Sequence, residues 1–116
     1  MTKSEIAQAF SRGDFEKSFV YITDQTTWDT LGEQNLTGRK EIESFCTNVR
    51  AYFDSVTTNF LQLNVIENAN CVVINGTAEF IRENKRVSFV SSCDIYVFDA
   101  NNNIASITSY CIADKS

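Results

Sequence analysis

The side chains best suited to chemistry in this chain are carboxylates. Histidine is absent from all 116 residues, which removes the commonest general base, the commonest zinc ligand and every Ser–His or Cys–His pair. Any catalysis must draw on carboxylates, Tyr, Lys or Cys. Two aspartates stand in settings that matter. Asp94 lies in a strand-like run, and alternation gives it a face with Val90, Ser92, Tyr96 and Phe98, while Cys93, Ile95 and Val97 take the other. If the first face lines a cavity, Asp94 is a carboxyl group in an apolar box. Burial then disfavours its charged form, so it can stay protonated and donate a hydrogen bond. In the alternative reading it bonds Tyr96, Tyr110 or a backbone amide and serves only the fold. Asp29 follows Trp28, so the two point to opposite faces. Either Asp29 faces the cavity and can act as a base, or Trp28 does and forms a wall for ligand stacking.

The four cysteines, Cys46, Cys71, Cys93 and Cys111, include no C-x-x-C pair, so no metal site is expected. They read as small thiols packed in apolar segments of a protein kept in a reducing cytoplasm. No basic neighbour stands beside Cys46 or Cys93 to make a nucleophile of either. Ten Lys and Arg against 15 Asp and Glu give a net charge of −5. That balance repels phosphates and argues against nucleic acid or an anionic membrane as a partner. A hydrophobic share of 43% suffices for a packed core, yet no apolar run approaches the roughly 18–20 residues of a membrane span. Met1 to Glu5 lacks the apolar stretch of a secretory signal. We expect one domain over residues 1–116.

The elements that must position these groups follow from periodicity. Thr2 and Glu5 have capping-box spacing, and Ile6 and Phe10 fall on one helical face. Gly13 fits the position after a helix end. Asp14 can cap a second helix carrying Phe15, Phe19 and Ile22. Residues 23–31 read as a short strand and 32–38 as a loop. A longer helix follows from about Arg39 to Asp54, with the stripe Ile42, Phe45, Cys46, Val49 and Phe53 forming core and, in part, pocket wall. From Thr57 the period becomes two. Strands are expected over 60–67, 71–83, 87–98 and 104–112, with turns at 67–70, 83–86 and 101–103. Asn75-Gly76 is a strong hairpin signal that would split the second of these strands. We prefer one long strand in which Gly76 marks a bulge or bend.

The fold expected is α+β: three N-terminal helices packed on the concave face of a strongly curved antiparallel sheet, enclosing a cavity. The opposite sheet face, with Val73, Ile81, Phe89, Ile95 and Val97, is also apolar, and a second copy is its simplest cover.

The break at Gly13-Asp14, the stretch Thr27-Trp28-Asp29-Thr30-Leu31-Gly32, the helix start Leu36-Thr37-Gly38-Arg39-Lys40-Glu41-Ile42, and Tyr96-Val97-Phe98 before an Asn-rich turn and Ile104 together resemble the nuclear-transport-factor-two-like superfamily. Ketosteroid isomerases and polyketide cyclases belong to it. The resemblance covers essentially the whole chain and implies a cone-shaped, cystatin-like fold and a homodimer formed through the sheet. It also implies site residues. The isomerase's aspartate base lies nine residues before the glycine opening the third helix, as Asp29 lies before Gly38. Its hydrogen-bonding aspartate lies ten residues before the start of the last strand, as Asp94 lies before Ile104. The isomerase's first-helix tyrosine has no counterpart, because Ile6 stands there. The pocket is expected to be lined by Trp28, Phe53, Val90, Tyr96, Phe98 and Tyr110. Three functions are in view. One is a pocket protein for a small hydrophobic, cyclic or polyketide-like ligand. Another is a cofactor-free isomerase or cyclase using Asp29 as base and Asp94 as acid or hydrogen-bond donor to an enolate. The third is a non-catalytic protein-interaction module.

Overall fold

A computed structural model describes residues 1–114. The first helix, α1 (Lys3–Ser11), begins as its capping box requires. Thr2 N–H donates to Glu5 Oε1 at 2.8 Å, and Glu5 N–H donates to Thr2 Oγ1 at 3.1 Å. The second helix is a 3₁₀ helix over Phe15–Tyr21, with Phe15 and Ser18 buried. Phe15 and Ile22 lie in the core and Phe19 packs against it, so the expected stripe faces inward although the helix is 3₁₀ and not α. Asp14 makes no capping bond and pairs instead with Arg12 and Lys17. The third helix, α2, runs from Arg39 to Asp54, as its apolar stripe requires.

Six strands form one open sheet: β1 (Ile22–Thr30), β2 (Gln34–Thr37), β3 (Thr57–Asn68), β4 (Cys71–Arg82), β5 (Lys85–Phe98) and β6 (Ile104–Ala113), in the order β2-β1-β6-β5-β4-β3. Two features correct the sequence reading. Residues 34–37, taken as loop, are a short strand pairing antiparallel with β1, with Trp28 opposite Leu36. Gln-Asn-Leu-Thr carries too few β-formers to declare itself, and its pairing is supplied by the neighbouring strand. The sheet is also mixed, because β1 runs parallel to β6, with Trp28 opposite Ile107 and Thr30 opposite Ser109. Parallel neighbours need a crossover; here it is everything from β2 through β5.

β4 is a single strand through Asn75-Gly76, as preferred. Opposite it, β3 bulges between Phe60 and Gln62. A Cβ on Gly76 would stand 2.1 Å from the Gln62 carbonyl oxygen. The glycine is thus a requirement of the bulge and not of a turn.

The core joins Ile6 and Phe10 of α1 and Ile42 and Cys46 of α2 to Val72, Ile74, Tyr96, Phe98, Ile104 and Ile107 of the sheet. Alternation puts Val72, Ile74, Tyr96 and Phe98 on one face, and a register shift opposite Val97 and Phe98 brings both Ile104 and Ile107 onto it. The other face carries Val73, Ile95, Val97 and Tyr110; Val97 and Tyr110 are 40% and 47% exposed. Among the described residues no helix is long and apolar enough to cross a membrane.

Candidate active site around Asp94

A cavity of about 470 Å³ lies between the helices and the core-facing side of the sheet. α1 and the 3₁₀ helix contribute Phe10, Ser11 and Phe15, and α2 contributes Phe45, Val49, Tyr52 and Phe53. The sheet contributes Trp28, Phe60, Ala78, Phe80, Val90, Ser92, Asp94, Tyr96, Ser109 and Cys111. Glu33 and Gln34, in and just after the β1–β2 turn, line it too. A smaller arm of about 100 Å³ continues past Asp94, Ser11 and Ala78 toward Gln8, Arg12 and Thr77.

The alternation of β1 decides between Trp28 and Asp29. Trp28 and Thr30 point into the cavity, and Trp28 Nε1–H donates to Ser109 Oγ at 3.0 Å. Its indole meets Phe10 and Phe45 edge-on, with centroids 5.0 and 5.2 Å apart. Asp29 lies opposite Thr108 on β6, on the far face of the sheet, and lines neither arm. The expectation of Asp29 as a base on a cavity substrate is therefore corrected. The structure does not bring the two aspartates together. Phe98 and Tyr110 are corrected as well. Phe98 shares the inner face but is closed off in the core at 3% exposure, and Tyr110 points outward. Phe53, Val90 and Tyr96 line the cavity.

Asp94 sits where the two arms meet. Burial pushes its carboxyl above the usual carboxylate range, and hydrogen bonds from Ser109 and Ser11 oppose this without reversing it. Ser11 Oγ donates to Asp94 Oδ2 at 2.8 Å and stands 2.6 Å from the Tyr96 hydroxyl. A serine hydroxyl has one proton. When it is given to the Asp94 carboxylate, the Tyr96 O–H must donate to Ser11, making the chain Tyr96–Ser11–Asp94. The fully buried Tyr96 is raised well above the ordinary tyrosine value by burial and then by Asp94. It remains a neutral phenol whose hydroxyl is committed to Ser11.

Ser11 is the residue that sequence reading missed. Its signal was present: it follows Ala7 by four, so it continues the buried face of α1. Cys46 is a core thiol pushed up to about 12 by burial, which removes it as a nucleophile. Among the described residues no cluster of ligating side chains can hold a metal ion.

This arrangement offers one partly desolvated carboxyl at the junction of an aromatic-walled cavity, held by two serines and accessible to a ligand. It can donate or accept a proton, or hold a charge.

No family model and no curated protein matches the sequence. Solved structures do. One is an NTF2-like protein of unknown function from Cytophaga hutchinsonii, 38% identical over 93% of this chain and 94% of that one, with a TM-score of 0.80. A Shewanella denitrificans protein assigned to the SnoaL-like polyketide cyclases has a TM-score of 0.73 at 13% identity, covering 95% and 90%. An LEH-like epoxide hydrolase of M. tuberculosis reaches 0.67 at 16% identity, covering 95% and 82%. The last two share the fold alone. The Cytophaga protein is similar along nearly its whole length, and on that ground the chain belongs to the NTF2-like family.

Proposed function

We propose that this protein is a dimeric pocket protein that binds a small, mainly hydrophobic ligand, cyclic or polyketide-like, with Asp94 as its polar anchor. The observation that carries the reading is the cavity of about 470 Å³, walled by aromatic rings around one buried carboxyl. That volume falls in the range of roughly 300–1,000 Å³ common to small-molecule sites. The sheet curls about the helices to close the cavity. Its outer apolar face, with Val73, Ile95, Val97 and Tyr110, packs against a second copy. The kinship with a fold that includes a protein assigned to the polyketide cyclases supports a ring-sized ligand. Native mass spectrometry of the purified protein tests the pocket. A bound small molecule is expected in the wild type and lost in Ala78→Trp, which fills the junction. A wild type that carries nothing and binds no hydrophobic probe overturns the reading. Sedimentation tests the dimer: Ile95→Asp is expected to give monomers, and a monomeric wild type refutes the interface.

A second reading rests on the raised carboxyl of Asp94. Kept protonated, it would donate a hydrogen bond to an enolate, as in an isomerase or cyclase, with no aspartate base from Asp29. Steroid-enone isomerisation is the assay. Turnover equal to the uncatalysed background in both wild type and Asp94→Asn excludes that reaction.

A further inference from the structure

The cavity carries an unbalanced charge pattern. Its main arm is lined by two acidic residues, Asp94 at the junction and Glu33 near the β1–β2 turn, and by no Lys or Arg. Among the described residues lining the two arms the one cation is Arg12, which belongs to the smaller arm and pairs with Asp14 at 3.5 Å. Asp94 itself has no ion-pair partner among the described residues. Its contacts are the neutral hydroxyls of Ser11 and Ser109. Nine aromatic side chains line it as well, Phe10, Trp28 and Phe45 among them.

Such a box rejects anions. A carboxylate or phosphate would meet two like charges and no counter-ion, in a low dielectric that magnifies the repulsion. A neutral ligand gains only ordinary hydrogen bonds. A cation gains most, from a charge-assisted bond to Asp94 and from the negative faces of aromatic rings.

We infer that the cavity selects a hydrophobic amine, a ring-sized apolar body bearing one protonated nitrogen, with Asp94 as the counter-ion and Glu33 drawing the ligand to the entrance. This rests on the pocket reading and names the charge class of its ligand. It also separates from the enolate chemistry, which needs Asp94 protonated, whereas the amine needs it ionised. The groups that face Asp94 leave this exchange to Asp94 itself. Ser11 of α1 and Ser109 of β6 are neutral, Tyr96 is a phenol locked in its bond to Ser11, and burial raises the Cys111 thiol. Glu33 acts on Cys111 from the β1–β2 turn, and Arg12 lies across the smaller arm.

The test is calorimetric titration of the full chain with three matched probes: adamantane-methylamine, adamantane-methanol and adamantane-carboxylate. The amine is expected to bind about tenfold or more tighter than the alcohol, as a charge-assisted bond exceeds a neutral one, and the carboxylate weakest. Asp94→Asn should bring the amine down to the alcohol, and Glu33→Gln should weaken the amine by a smaller factor. Amine affinity should rise as pH rises through the titration of Asp94 and level off above it, while alcohol affinity stays flat or falls. Equal affinity for amine and alcohol, a preference that survives in Asp94→Asn, or amine affinity that falls with rising pH overturns the inference while leaving the pocket intact. If none of the three binds, the pocket reading fails and the inference falls with it.

Discussion

Replacing Ser11 with Ala removes the link in the Tyr96–Ser11–Asp94 chain. Tyr96 is fully buried, and its hydroxyl has Ser11 Oγ as its hydrogen-bond partner at 2.6 Å. Leaving a buried hydroxyl unpaired costs about 1–3 kcal/mol, against about 1 kcal/mol for an ordinary lost bond. The loss of the Asp94 bond adds to this, while water admitted through the adjoining cavity subtracts, so we expect Ser11→Ala to cost about 2 kcal/mol. Tyr96→Phe alone leaves no orphan, because Ser11 still donates to Asp94, and should cost about 1 kcal/mol. The double variant has no stranded hydroxyl, so its cost should be about 2 kcal/mol instead of the additive ~3. For a chain of this size 2 kcal/mol is about 8 °C in Tm. Urea unfolding of the four proteins gives the cycle directly. Carbon NMR of the Asp94 carboxyl gives a second readout: its titration should move upward in Ser11→Ala, since a bond that favours the charged form is gone. Additivity within about 0.5 kcal/mol, or an unmoved titration, would refute the chain as drawn.

Asp94→Asn should bind proton-independently where the wild type does not. Because the folded Asp94 carboxyl is raised, the folded state holds its proton above the unfolded value of about 3.9. Wild-type stability relative to Asp94→Asn should therefore fall as pH climbs from about 4 through the folded titration, and hold level beyond it. Denaturant midpoints across pH check the sign, and a relative rise contradicts it. Gly76→Ala should cost about 3 kcal/mol or more, since its Cβ would meet the Gln62 carbonyl of the bulged strand at 2.1 Å; a thermal midpoint within a degree or two of wild type would show that the bulge yields. Asp29→Asn should leave probe affinity unchanged, because Asp29 is on the far face; a change comparable to that of Asp94→Asn would restore Asp29 to the pocket.

Where a residue's role followed from a local period, sequence reading went far. The α2 stripe gave its bounds, and strand alternation put Asp94 on one face with Val90, Ser92 and Tyr96. The same rule framed Trp28 and Asp29 as exclusive alternatives, but only the pairing of β1 with β6 could choose between them. What escaped detection depended on partners distant in sequence. β2 exists because β1 offers it an edge, and the parallel β1–β6 ladder has no mark in either strand. Tyr110 went outward because β5 fixes its register opposite Cys93, and Phe98 was sealed because the inner face extends beyond the cavity into solid core. Equal spacing to a familiar pattern matched Asp29 by count alone. Counting along a chain does not say on which side of a strand a residue lands.

The β1–β6 ladder also bears on assembly. One wall of the cavity, with Trp28 tied to Ser109, joins the first strand to the last. During synthesis β1 waits for a neighbour through nearly the entire production of the domain, holding only its short hairpin with β2. The cavity is thus the final thing to close, and a nascent chain stalled before β6 would display its aromatic lining to chaperones and to other unfinished chains.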